Sequence, residues 1–327
     1  MKGSTGQGGG PSRTANRGTN RARGRAQQGG YVPGLPETPA FTLTNAAAAA
    51  IPVLISVPHA GRAYPAGLLS ALRHPADAPL RLEDRLVDQI AARLADATGA
   101  ALLVAHAPRA MIDLNRAPDD MDWDMVADGG TRPFARLGAG RRARTGLGLV
   151  PRRLAGLGEL WHARLPREEL DARISAVHTP YHAALARTLE TLRDTWGAAL
   201  LVDLHSMPPL GPKTGPEAAA DFVVGDRFGA SCAAHLSHAA LGHLGHAGWR
   251  AAHNRPYAGG YVLDRHAAPQ RGIHAMQVEV CRAVYLDAQL QDPGEGFDAV
   301  AVSLAAMVQR LAADLTPMPR GFAQAAE

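Results

Sequence analysis

AMQVEVCRAVYLD, residues 275–287, sets Gln277 and Glu279 into an otherwise apolar run of strand-forming residues. Alternate side chains of a strand share a face, so both polar groups point one way while Val278 and Val280 point the other. A carboxylate inside a central strand is costly unless it is paired or put to use. The run therefore predicts a buried strand that delivers a working carboxylate, with a salt-bridged structural Glu as the other reading.

Two further segments repeat the pattern. IPVLISVPHAG (51–61) is an apolar strand followed by His59, and GAALLVDLHSMPP (197–209) carries Asp203, His205 and Ser206 toward its end. In open α/β sheets the reacting groups collect at the carboxyl ends of the strands. Two histidines and a glutamate brought in by three strands suggest a metal site with a base beside it.

Strands are expected at 51–57, 100–105, 111–114, 198–204, 221–225 and 275–281. They are short apolar runs, not alternating ones, as in a sheet covered on both faces. Helical periodicity fills the intervals. EDRLVDQIAARLADATG (83–99) aligns Leu86, Ile90 and Leu94 and ends at Gly99, a C-cap residue. Residues 167–196 read as a long amphipathic helix that Pro180 should kink or divide. Further helices are expected at 226–245 and 298–315. Residues 117–160, rich in Gly, Arg and Asp, lack periodicity over a length that suggests a functional lid. The expected class is α/β, a mixed central sheet with helices on both faces, in one domain (39–320) preceded by a basic Gly/Arg-rich tail (1–38).

Composition narrows the function. Hydrophobic content of 46% and charged content of 20% describe an ordinary globular chain. No run approaches the roughly eighteen apolar residues of a membrane helix, so no membrane partner is expected. Of the net charge of +4, residues 1–30 supply six cations (Lys2, Arg13, Arg17, Arg21, Arg23 and Arg25) and no acid, which leaves the other 297 residues near −2. The folded part thus has no general basic field, and nucleic acid is not the expected partner. The tail has almost nothing to bury and no apolar core of a secretory signal. It reads as a solvated arm, with an organellar presequence or a weak RNA-binding arm as alternatives. Cys232 and Cys281 show no paired spacing, which suits a cytoplasmic location. GxGxxG and P-loop patterns are absent.

Metal-assisted hydrolysis of an amide needs three protein ligands, an open position for water, a carboxylate to take the water proton and cations to hold the oxyanion. His59 and His205 are the candidate ligands and Glu279 the candidate base. For the third ligand Asp84 is chosen, at the start of the first long helical pattern, with Glu83 and Asp88 as alternatives. PRAMIDLNR (108–116) supplies Asp113, Asn115, Arg116 and Arg109. An Arg fork can bind a carboxylate bidentately, and Arg109 could reach the same cavity to polarise a scissile carbonyl. NRPYAGGY (254–261) is expected to form a loop over the site, with Asn254, Gly259 and Gly260 near the ligand. His235, His238, His243 and His246 are joined by no carboxylate and read as surface residues.

VPHAG with Tyr64-Pro65, the acids at Asp84, RAMIDLNR, HTPYHAAL (178–185), LVDLHS, NRPYAGGY and HAMQVEVCRAVYLD together resemble the N-formylglutamate amidohydrolase family, in order over residues 50–290. DLNR is also similar to a motif of the aspartoacylase branch of the carboxypeptidase-like zinc hydrolases. The resemblance implies a zinc-carboxypeptidase-like fold of the phosphorylase/hydrolase-like kind, one zinc, Asn115 and Arg116 for a substrate carboxylate, and Arg109 for the oxyanion. The implied substrate is a small N-acyl amino acid, N-formylglutamate first. Two rivals remain: a zinc deacylase or peptidase acting on another N-acyl amino acid or a cell-wall peptide, and a non-catalytic binding protein with an RNA-contacting tail.

Overall fold

The computed structural model describes residues 26–127, 141–215 and 217–315. Eight strands form one mixed sheet in the order β1 (Gln27–Gly29), β2 (Phe41–Thr44), β4 (Ala101–Ala105), β3 (Val53–Val57), β7 (Ala199–Met207), β10 (Ile273–Cys281), β8 (Phe222–Gly225) and β9 (Ala251–His253). β4, β3, β7 and β10 run parallel, while β2 and β8 are antiparallel to their inner neighbours. β5 (Arg153–Leu154) and β6 (Gly158–Glu159) make a small separate hairpin. The helices are α1 (Ala66–Ala71), α2 (Asp77–Leu82), α3 (Val87–Thr98), α4 (Arg141–Arg144), α5 (Arg167–Arg173), α6 (Thr179–Trp196), α7 (Ala234–His246), α8 (Tyr261–His266) and α9 (Phe297–Leu315). Among the described residues no helix is long and apolar enough to cross a membrane.

The central strands are apolar because both faces are covered. On one face Ile55, Val202, Leu204, Val278 and Val280 pack with residues of α3, α7 and α9. On the other, Leu54, Leu201 and Ala275 pack with Tyr181, Leu185 and Leu189 of α6. This second face changes character along the strands: the apolar residues give way to Ser56, to Asp203 and His205, and to Gln277 and Glu279, all buried. The parallel register sets Gln277 beside Asp203 and Glu279 beside His205. The period-two reading of 275–281 therefore holds, and the polar groups lie toward the carboxyl ends of the strands.

Several expectations are corrected. Residues 111–114 are not a strand: Met111 N donates to Pro108 O at 2.8 Å and Asp113 N to Leu149 O at 2.7 Å, so the backbone of this apolar run turns within the core. The helix expected to open at 83 begins at Val87, because Leu86 adopts a left-handed φ of 58°. Asp84 instead lies in the turn between α2 and α3, tied to the other side of the site by its N donating to His59 O at 2.9 Å. Gly99 caps α3 as expected. The helical run at 167–196 is divided by a π-helical turn, Ile174–His178, with Pro180 in the first turn of α6.

Part of the stretch assigned to the tail belongs to the fold, with Gln27–Gly29 joining the sheet. β1 pairs with β2, Tyr31 N donates to Ala176 O at 3.2 Å, and Val32 is fully buried. Gly30, at φ 58°, permits this approach: a Cβ there would stand 2.1 Å from Ala176 O. Residues 1–25, the remainder of that tail, lie outside the described residues, as do 128–140 of the expected lid.

Candidate metal and active site

His59, Asp84 and His205 converge, each buried, with one ligand atom apiece all within 4.8 Å of one another. Asp84 Oδ2 stands 2.8 Å from His205 Nδ1 and 3.5 Å from His59 Nδ1. The outer nitrogens are held by carboxylates: His59 Nε2 lies 2.7 Å from Asp113 Oδ1, and His205 Nε2 lies 2.8 Å from Asp203 Oδ2. Such pairing fixes each ring and directs its other nitrogen at a common point, the arrangement found around histidines that bind a metal. His59 Nδ1 is buried without a hydrogen-bond partner among the described residues. Two imidazole nitrogens and a carboxylate oxygen suit a zinc-like cation, so the residues fit the group.

The electrostatics agree with this fit. Burial alone would raise the Asp84 carboxyl, yet the facing His205 and His59 outweigh it and hold it below the usual carboxylate range. Burial likewise opposes a charge on His205, but Asp203 and Asp84 hold its pKa well above the ordinary imidazole value. A positive charge is thus favoured between this ring and Asp84, where a bound cation would replace the proton.

Asp88 and Glu83, the alternative third ligands, are engaged elsewhere. Asp88 pairs with Arg62 at 2.6 Å, and Glu83 Oε2 lies 3.4 Å from Arg85 Nη1.

Glu279 lies across the strand register from His205 and lines the same cavity of about 990 Å³ as the three convergent residues. Its Oε1 accepts from Gln277 Nε2 at 2.8 Å, and Gln277 Oε1 in turn accepts from Asn115 Nδ2 at 3.3 Å. Burial pushes the Glu279 carboxyl up to about 7, with Asp84 and Asp203 adding to the rise and His205 and Arg109 opposing it. A buried carboxyl poised near neutrality is suited to proton transfer.

Arg109 lines the cavity and clasps Asp113, with Nε and Nη2 each 2.9 Å from Oδ2. The neighbouring Arg116 is the weaker partner of Asp113, its Nη2 standing 4.0 Å from Oδ2. Arg116 donates from Nε to Leu147 O at 2.8 Å and from Nη1 to Asn115 O at 2.6 Å, and it too lines the cavity. The Asn115 side chain anchors the first turn of α8, because its Oδ1 accepts from Val262 N at 3.0 Å. Gly260 presses against it: a Cβ at Gly260 would stand 2.6 Å from Asn115 Oδ1.

Gly259, Gly260 and Tyr257 border the cavity as expected of the 254–261 loop. Asn254 also borders it, but its side chain is turned to Asp226: Nδ2 donates to Asp226 Oδ1 at 2.8 Å and Oδ1 accepts from Asp226 N at 3.0 Å. From the 117–160 segment, Asp119, Asp120, Arg142 and Leu147 line the cavity. His235, His238 and His246 are exposed, and among the described residues only His59, Asp84 and His205 form a group able to hold a metal.

Sequence reasoning gave no role to Asp203, Gln277 or Arg282. Asp203 is named in the sequence beside His205 and Ser206 but not as the partner of that ring, a role its position two residues earlier on the same face allows. Arg282 is buried at the site, with Nε donating to Ser206 Oγ at 3.1 Å and Nη2 standing 3.7 Å from Asp84 Oδ1. Nothing in the pattern RAV separates it from a surface arginine.

The chain resembles known proteins over most of its length. A family model described as N-formylglutamate amidohydrolase matches residues 51–286. The N-formylglutamate deformylase of Pseudomonas aeruginosa is 31% identical over 246 residues, 73% of this chain and 84% of that protein. The protein of the same name from Pseudomonas putida is 31% identical over 242 residues, 72% of this chain and 82% of its own length. The crystal structure of N-formylglutamate amidohydrolase from Ralstonia eutropha JMP134 superposes with a TM-score of 0.75 at 30% identity, covering 84% of this chain and 98% of that one. On the extent of the family match and the length shared with these relatives, the chain belongs to the N-formylglutamate amidohydrolase family.

Proposed function

We propose that the chain is an amidohydrolase that cleaves N-formylglutamate to formate and glutamate with the help of one divalent cation, zinc being the expected one. The observation that carries this reading is the buried convergence of His59 Nδ1, His205 Nδ1 and Asp84 Oδ2, each ring backed by a carboxylate, beside Glu279 in one cavity. His59, Asp84 and His205 would hold the cation, which supplies Lewis acidity and makes water a better nucleophile at neutral pH.

The rest of the chemistry falls to the chain's own side chains. Glu279, oriented by Gln277, takes the proton of the attacking water. As the water oxygen bonds to the formyl carbon, Arg109 offers its positive charge to the developing oxyanion, its own position fixed by Asp113. The carbon–nitrogen bond then breaks and Glu279 returns the proton to the departing amine. Arg116, supported by Asn115, holds a substrate carboxylate. The substrate has two carboxylates, and the arginines around the cavity, Arg142 and Arg255 included, give it a positive rim suited to a dianion. A cytoplasmic location is proposed with it, on the two free, buried cysteines.

The test combines metal analysis of the purified protein with formate release from a panel of N-formyl and longer N-acyl amino acids. The reading expects about one zinc per chain and fastest turnover of N-formylglutamate. His59→Ala and His205→Ala should each lose most of the metal, because a three-ligand site tolerates no loss. Turnover unaffected by chelators would contradict it, and preference for a bulkier acyl group would favour the deacylase rival.

A further inference from the structure

The motif HTPYH, residues 178–182, has no part in the chemistry above, yet both of its histidines are buried behind Asn115 and Arg116. His182 Nε2 lies 3.0 Å from Leu114 O, and His178 Nε2 lies 2.9 Å from Arg116 O. Arg116 Nη1 itself donates to the carbonyl between them, Asn115 O. Three consecutive carbonyls, 114 to 116, are therefore held by side chains in a segment that belongs to no helix or strand and cannot satisfy them by a ladder.

Tautomers follow from the acceptors. A carbonyl only accepts, so the Nε2 atoms of His178 and His182 each carry the hydrogen. Burial pushes His182 down to about 2 and His266 to about 4, with neighbouring positive charge adding to the effect, so both are neutral at neutral pH. The bare Nδ1 of His182 then accepts from His266 Nε2 at 2.8 Å, the two rings lying 9° apart in plane. His266 ends α8, and Val262 near the start of that helix donates its N–H to Asn115 Oδ1. The 114–115 peptide is pinned from its other side as well, by Asn115 N donating to Asp113 Oδ1 at 2.8 Å.

We infer that His178 and His182, with His266 behind them, are positioning residues that hold the Leu114–Arg116 backbone and thereby aim Arg116 at the substrate carboxylate. This rests on the reading of Arg116 as the carboxylate holder. Histidine suits the task because a neutral buried ring presents a rigid donor at its far end without bringing a charge beside Arg116. Gln places an amide nitrogen at a similar reach, so it can replace the Nε2 donor where Ala cannot.

The experiment measures kcat, KM for N-formylglutamate, zinc content and melting temperature for His178→Ala, His182→Ala, the two Gln variants, Arg116→Ala, and His178→Ala combined with Arg116→Ala. The Ala variants should retain zinc and raise KM roughly tenfold or more with a smaller change in kcat, and the Gln variants should recover most of the loss. In the Arg116→Ala background, His178→Ala should add little, since what it positions is already gone. A purely structural role would lower the melting temperature and the active fraction, and so kcat, while leaving KM alone. If Arg116→Ala raises KM and both His→Ala variants keep a normal KM, the positioning role is overturned. An unchanged KM in Arg116→Ala would overturn the carboxylate reading and the inference with it. Should His182→Ala fail to fold, His178→Ala and the double variant carry the test.

Discussion

His59 Nε2 stands 2.7 Å from Asp113 Oδ1, joining the residue that follows β3 to the turn that follows β4. Asp113 also accepts from Asn115 N and is clasped by Arg109, so one carboxylate ties the candidate metal ligand to the proposed oxyanion and carboxylate holders. Desolvation opposes its charge, but Arg109, His59 and Arg116 keep its pKa well below the ordinary carboxylate value. Asp113→Asn keeps the shape and removes the charge. It should weaken zinc binding by roughly 10–100-fold, with part of the activity returning as metal is added. Metal titration against a competing chelator checks this, and an unchanged affinity would leave Asp113 only a local structural role.

Arg116 reaches the cavity and is only loosely paired with Asp113, its Nη2 standing 4.0 Å from Oδ2. Arg116→Lys replaces a planar fork by a point charge and also loses the bonds to Leu147 O and Asn115 O. Steady-state kinetics should show KM raised roughly tenfold or more and kcat changed far less. A defect confined to kcat would move Arg116 to the oxyanion and leave the carboxylate to another arginine of the rim.

The strands, and the face on which their polar groups lie, were legible because burial on both sides forces apolar runs, against which Asp203, His205, Gln277 and Glu279 stand out. Turns were less legible. The apolar stretch Met111–Leu114 has strand composition, and only its hydrogen bonds to Pro108 and Leu149 make it a turn. The left-handed Leu86 shortened α3 and left Asp84 in a loop, a conformation that the residue type does not announce. Asp84 still meets His59 and His205, because its place in the chain close after His59 does not depend on where α3 begins. The anchoring of Asn254 to Asp226 and the approach of Arg282 to Asp84 depend on long-range packing and left no local trace.

His182 and His266 are neutral and buried in the fold, with pKa values pushed down to about 2 and about 4. An unfolded histidine takes up its proton near pH 6.5. Below that pH the unfolded chain therefore binds more protons than the native one, and stability falls as pH falls. The loss attributable to His266 runs from about pH 6.5 to about 4, and that of His182 continues lower, each at about 1.4 kcal/mol per pH unit. Denaturant melts of the wild type and His266→Gln between pH 7 and pH 4.5 should show a shallower acid slope in the variant. Parallel slopes would mean that His266 is already protonated in the fold.

The central claim is that Glu279 moves the proton in amide hydrolysis, and turnover by zinc-loaded Glu279→Gln tests it most directly. Gln keeps the volume and can still meet the Gln277 amide, so folding and zinc content should stay near normal. A general base is worth about 10²–10⁴-fold in rate, and an amide cannot take a proton from water. Formate release from N-formylglutamate should therefore fall at least about a hundredfold in kcat. Near-normal kcat in a folded, zinc-loaded Glu279→Gln protein would contradict the account and return this strand carboxylate to a structural role.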